Sequence, residues 1–145
     1  MEIKELGHVV LYVTNVERSA AFYREVLGFP EIHRDGGAAA FSSGRTHHEL
    51  LLIGIGGQPR KKKHIESGLY HIGLKIGDSL EELQKAYQEL RKKNVTIIGT
   101  ADHTVTKSIY IEDPDGNEIE LYADVSDEWK RKPMLVMTPT KPLRL

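Results

Sequence analysis

The sequence predicts an α+β fold made of one unit used twice, each copy a strand, a helix and then two or three strands. Three observations carry this expectation. Short runs alternate apolar and polar residues, as half-buried strands do. Two longer runs repeat apolar residues at helical spacing, each just after the first strand of its half. Landmarks recur at a constant offset of 63 positions, His8 with His71 and Asn15 with Asp78.

The elements follow in order. Residues 6–13, LGHVVLYV, read as a strand with Val9, Leu11 and Val13 on one side and His8, Val10 and Tyr12 on the other. Asn15 is placed to cap a helix over Val16–Leu27, with Val16, Ala20, Tyr23 and Leu27 as its stripe and Gly28 as its stop. Residues 38–44 and 48–56 read as a hairpin turning at Ser43-Gly44-Arg45. The first module thus spans about 6–57, and a Gly-, Pro- and Lys-rich connector spans about 58–68. In the second module, about 69–124, YHIGLKI (70–76) is a strand. Asp78 with Glu81 signals a helix start, and the helix over Ser79–Asn94 carries Leu80, Leu83, Tyr87 and Leu90. A short strand near VTIIG and the strands SIYIED and NEIELYA follow, the last two joined by Asp113-Pro114-Asp115-Gly116. Residues from about 125 to 145 hold Pro133, Pro139 and Pro142 without a clear period, and read as an extended tail.

Composition narrows the function. The 145 residues carry 20 Lys and Arg against 21 Asp and Glu, so bulk charge offers no grip on nucleic acid or an anionic membrane. Cysteine is absent, which removes disulfides, thiolate nucleophiles and Cys-ligated metals. No apolar run reaches the ~20 residues of a membrane span, and no secretion signal is visible, so the expected location is the cytoplasm. Seven histidines stand out. His33 and His64 read as surface residues, and the run Arg60–Lys63 as a solvated loop.

Each helix must bury its stripe on the apolar face of its strands, so the opposite face carries the chemistry. That face holds His8, His71, Tyr110 and Glu120, with Glu118 and Tyr122 in the same register. Two imidazoles and a carboxylate with open positions left over are the facial triad of non-haem Fe(II) sites. Manganese, nickel, cobalt or zinc also suits such a set.

These strings, GHVVLYV-TNVERSAAFYREVLGF and DPDGNEIELY, resemble the vicinal oxygen chelate superfamily of glyoxalases, bleomycin resistance proteins and extradiol dioxygenases. The resemblance covers residues 6–123. It implies a single domain of two paired βαβββ modules forming an incompletely closed eight-stranded barrel, with helices outside. It implies metal ligands at His8, His71 and Glu120, Glu120 rather than Glu118 matching the family position. Three features resemble the type I extradiol branch: Arg45-Thr46-His47-His48, Asp102-His103, and the spacing of Tyr110 to Glu120. They imply His48, His103 and Tyr110 as catalytic groups, with His48 handling oxygen and His103 and Tyr110 handling substrate hydroxyls. Fe(II), a small catecholic substrate, O2 and a homodimer come with that reading. The rival is a lyase or isomerase of the glyoxalase I or epimerase type, for which Glu49 is the fourth ligand, or a resistance or binding protein of the same superfamily. Successive strand side chains alternate faces, so only one of His48 and Glu49 points inward from a regular strand. Nearby His47, His103 and Tyr110 favour His48.

Overall fold

A computed structural model describes residues 1–59 and 67–145, so His64 and the run Arg60–Lys63 lie outside the described residues. The chain divides into two compact units, one containing the N-terminal half with Pro114–Gly116 and one containing the rest. Each is built on an open mixed sheet, and the fold class is α+β as expected.

The first unit runs β1 (Val9–Val13), α1 (Val16–Ala21), β2 (Glu31–Asp35), β3 (Ala38–Phe41) and β4 (Leu50–Gly54), with strand order β1-β4-β3-β2. β1 pairs with β4 in parallel, and the other neighbours are antiparallel. Alternation puts Leu11, Val13, Phe41, Leu50 and Leu52 on the face covered by Val16 and Ala20 of α1 and by Tyr23 just beyond it, all buried. Such a core is sensitive to truncation, with Phe41→Ala expected to cost ~3–5 kcal/mol. Asn15 caps α1 as expected, its Oδ1 accepting the Arg18 N–H at 2.9 Å. At Phe22 the helix widens into a π turn through Val26. β2 was hidden in the sequence because it is polar. It is an edge strand whose Glu31 and Arg34 pair with each other, and with Arg24 and Glu17.

Asp115 belongs to this first unit. Its buried carboxylate accepts from Thr14 N (3.1 Å), Thr14 Oγ1 (2.5 Å), Ser19 Oγ (2.9 Å) and Arg18 Nη2 (3.1 Å), which locks the β1–α1 corner. Burial would raise its pKa, but these donors outweigh burial and hold it below the usual carboxylate value.

The second unit runs β5 (His71–Gly77), α2 (Leu80–Lys92), β6 (Ile97–Asp102), β7 (Thr106–Glu112), β8 (Glu118–Asp124) and β9 (Lys141–Pro142), with strand order β5-β8-β7-β6-β9. Ile109, Ile111, Ile119 and Leu121 form the buried face against α2, where Leu83 and Leu90 are buried; Leu80, placed on that stripe by spacing, is exposed. The helix cap lies one residue beyond the expected Asp78. Ser79 Oγ accepts the Glu82 N–H (3.2 Å), and the Glu82 carboxylate accepts from Asp78 N (2.9 Å) and Ser79 Oγ (2.8 Å). The cause is a register shift between Lys75 and Gly77, an extra residue that the first unit's β1 lacks. The 125–145 segment carries two 3₁₀ turns, Glu128–Lys130 and Pro133–Met137, before β9 pairs with β6. No helix among the described residues is long and apolar enough to cross a membrane.

Candidate metal centre

In the second unit the pleat gathers His71, Glu118, Glu120, Tyr122, Tyr110 and Ser108 on the face away from α2. The register follows from β5–β8 pairing (His71 opposite Glu118, Gly73 opposite Glu120) and β7–β8 pairing (Tyr110 opposite Glu120, Ser108 opposite Tyr122). His71 Nε2 lies 3.2 Å from Glu120 Oε2. Two donors each ~2.1 Å from one ion are ~3 Å apart, so this spacing suits a shared cation. The other oxygen of Glu120 is held away from it, since Oε1 accepts from Ser108 Oγ at 2.6 Å and from Tyr110 Oη at 3.0 Å. Partners of this kind orient a ligating carboxylate so that one oxygen remains for the ion. His71 Nδ1 is buried and has no hydrogen-bond partner among the described residues, with Glu118 Oε1 at 3.7 Å. An imidazole and a carboxylate so placed fit a divalent metal.

The chain of polar contacts extends outward. His103 Nε2 is 2.8 Å from Tyr110 Oη. Because Tyr110 donates its hydroxyl proton to Glu120, its oxygen accepts from His103, which sets the His103 proton on Nε2. His103 Nδ1 is then the acceptor facing Thr140 Oγ1 at 3.3 Å. His103 opens the turn into β7, where Thr104 sits at φ 73°, a strained value for a β-branched residue. Burial, then the Glu120 charge, push the Tyr110 phenol above its ordinary pKa, so it remains a hydroxyl donor.

In the first unit His8 precedes β1, and His48 precedes β4. Their ring centroids are 4.4 Å apart and tilted by 37°. His47 packs edge-on against both, at 5.8 Å from His8 and 4.4 Å from His48. Desolvation lowers the His48 pKa, and the neighbouring His47 and His8 lower it further. Glu49 turns elsewhere. Its carboxylate accepts from Ser43 N (2.5 Å), Ser43 Oγ (2.9 Å) and Arg45 Nε (3.0 Å), which latches the loop between β3 and β4. Burial would raise its pKa, but these donors hold it low.

Each unit therefore gathers its own share of the expected residues: His71, Glu120, Tyr110 and His103 in one, His8, His47 and His48 in the other. Sequence reasoning missed Ser108 and Thr140. Ser108 was open to discovery, because it stands two residues before Tyr110 and so shares its face. Thr140 was not, since nothing in an aperiodic tail announces that it returns to β6.

Comparison with known proteins agrees on the family. Residues 5–121 match the family model of the Glyoxalase/Bleomycin resistance protein/Dioxygenase superfamily. The chain is 32% identical over 131 residues to a catechol-2,3-dioxygenase of Bacillus subtilis, an alignment covering 90% of this chain and 45% of that protein. It is 30% identical over 122 residues to the metallothiol transferase FosB of Staphylococcus haemolyticus, covering 83% and 84%. The crystal structure of a glyoxalase/dioxygenase from Nostoc punctiforme superposes with a TM-score of 0.72 at 20% identity, covering 85% of this chain and 92% of that one. The chain thus spans less than half the length of the catechol dioxygenase it matches.

Proposed function

Since the chain belongs to the Glyoxalase/Bleomycin resistance protein/Dioxygenase superfamily, we propose that it is a metal-dependent extradiol dioxygenase that opens the ring of a catecholic substrate. His8, His71 and Glu120 hold the metal in this reading. The carrying observation is the relay His103–Tyr110–Glu120 beside His71, with contacts of 2.8, 3.0 and 3.2 Å. Fe(II) is the metal this chemistry calls for, and held by these residues it would supply Lewis acidity towards vicinal hydroxyls and open positions for substrate and O2.

The protein's own groups do the rest. Tyr110, kept protonated by burial and by Glu120, donates to Glu120 now and to a catecholate oxygen when substrate arrives. His103 backs Tyr110 through its Nε2 and passes a proton on or off the phenolic oxygen. His48, kept neutral beside His8, meets the oxygen side of the reacting pair. The similarity to the Bacillus subtilis catechol-2,3-dioxygenase supports this order. Small-molecule substrate, O2 and a homodimer complete the proposal.

A second reading is favoured by the FosB match, which covers more than four-fifths of both chains. It is thiol transfer, or the related lyase and isomerase chemistry, the latter with Glu49 as an added ligand. That role requires Glu49 to release Ser43 and Arg45. The test is anaerobic loading with Fe(II), then exposure to a panel of catechols in air. A yellow ring-fission product supports the first reading. Inertness towards every catechol with turnover of a hemithioacetal or a thiol acceptor supports the second.

A further inference from the structure

We propose that the first unit carries a cation site of its own, formed by the imidazoles of His8, His47 and His48, which takes a borderline divalent ion such as Zn2+, Ni2+ or Cu2+. One ring nitrogen from each residue can be chosen so that all three lie within 4.8 Å of one another. Nitrogens bound to one ion at ~2.0–2.1 Å are ~3–3.5 Å apart, so side-chain rotations of about an ångström close the set. Ring spacings of 4.4, 4.4 and 5.8 Å show that the three already pack as a group.

The scaffold beneath them is built. The Val9 N–H donates to Glu49 O at 2.9 Å, which pins the start of β1 beside the lead-in to β4. Arg45 donates from Nη2 to Gly7 O at 3.1 Å and from Nε to Glu49 at 3.0 Å, tying the same two segments a second time. Ser42 Oγ donates to Thr46 O at 2.7 Å and accepts the Gly44 N–H at 3.0 Å. The loop thus satisfies its charges against itself and the segment before β1, and leaves the rings over. Among the described residues neither His8 nor His48 makes a side-chain hydrogen bond, and His47 meets only Thr46 Oγ1, at 3.2 Å from its Nδ1.

Donor type sets the selectivity. Three neutral imidazoles without a carboxylate favour zinc, nickel and copper over magnesium, calcium and manganese. Three protein ligands also leave open positions for water or a small anion. The site shares His8 with the proposed catalytic set, so the two occupancies exclude one another. Excess Zn2+, Ni2+ or Cu2+ would then withdraw His8 from the catalytic metal and inhibit.

The experiment uses the full chain stripped of metal, the H71A/E120Q double variant, and the same variant with H47A added. Each is titrated with Zn2+ by calorimetry and with Co2+ by its visible absorption. His47 is exposed, and far-UV circular dichroism checks that each variant is folded. The expected result is about one equivalent bound by the double variant, weakened at least ~10-fold by H47A, the low end of what even an outer partner's loss costs. A double variant that binds no cation overturns the proposal and leaves the catalytic set standing. Equal binding with and without His47 also overturns it. Zn2+ retained by the double variant, together with Fe(II) affinity in the full chain unchanged by H71A/E120Q, would instead remove the catalytic set and leave this site.

Discussion

The two units place a histidine at the same point, the start of their first strand, yet surround it with opposite chemistry. His71 faces carboxylates, Glu120 at 3.2 Å and Glu118 at 3.7 Å. His8 faces imidazoles, while Glu49, the carboxylate nearest it in sequence register, is turned into the loop latch. A repeated fold therefore conserves backbone position and not side-chain environment. The second unit offers a hard oxygen with a hydrogen-bonded support, suited to Fe(II), and the first offers borderline imidazole nitrogen alone. Removing the carboxylate should therefore cost more than removing its support. We expect E120Q to lower metal affinity by ~100-fold or more, and S108A, which deletes one donor to Glu120 Oε1, by ~10-fold. Elemental analysis after exhaustive dialysis reads both. Stoichiometric metal in E120Q that also carries H47A, so that the first unit's imidazole set is broken, would mean that the second unit's carboxylate is not a ligand, and the contrast between the halves would lose its meaning.

Much of this contrast was written in the sequence. Period two alone put His71, Tyr110 and Glu120 on one face, because Ile109, Ile111, Ile119 and Leu121 had to take the other. Asn15 was legible as a cap because capping is local chemistry. The rest depended on contacts that no local pattern encodes. β2 lacks an apolar face, since Arg34 and Glu31 satisfy each other along an edge. The shift from Asp78 to Ser79 as cap follows from an irregularity between Lys75 and Gly77 that pairing with β8 creates. The His48–Glu49 alternative could not be decided by apolar patterning, because Leu50 to Ile53 supply both faces. What bears on it is the latch of Ser43 and Arg45, formed within the loop between β3 and β4.

The halves also differ in how the first strand is anchored to its helix. In the first unit a buried carboxylate, Asp115, holds the β1–α1 corner through four donor contacts. Loss of a buried charged acceptor with its donors left behind costs several kcal/mol, so D115A should lower stability by ~3 kcal/mol. The sign of the pH dependence follows from the depressed pKa. The Asp115 contribution is fully present above the ordinary carboxylate value of 3.8 and is lost as pH falls through the lower folded value. Urea midpoints of the parent and D115N should therefore differ by a constant amount at neutral pH and converge below the ordinary value. A difference that grows towards acid would show that Asp115 is not held as an ion.

In the second unit the corresponding corner is anchored by the box of Ser79 and Glu82, an exposed and weaker device. Gly77 makes room for it. A Cβ at Gly77 would meet the Glu82 carboxyl at 2.7 Å and its Cβ at 2.9 Å, so any side chain there must push Glu82 out of the box. Backbone strain is not the reason, because Gly77 is not among the residues with positive φ. G77A should then cost ~1 kcal/mol, about the worth of one cap. Part of that cost should vanish when Glu82 is already Ala, giving a coupling of at least ~0.5 kcal/mol in a double-mutant cycle. N15A, which strips the cap of the first unit, should cost about the same ~1 kcal/mol and show no coupling to G77A. Strict additivity of G77A with E82A would mean that the glycine does not serve the box, and the two corners would then differ only in the strength of their caps.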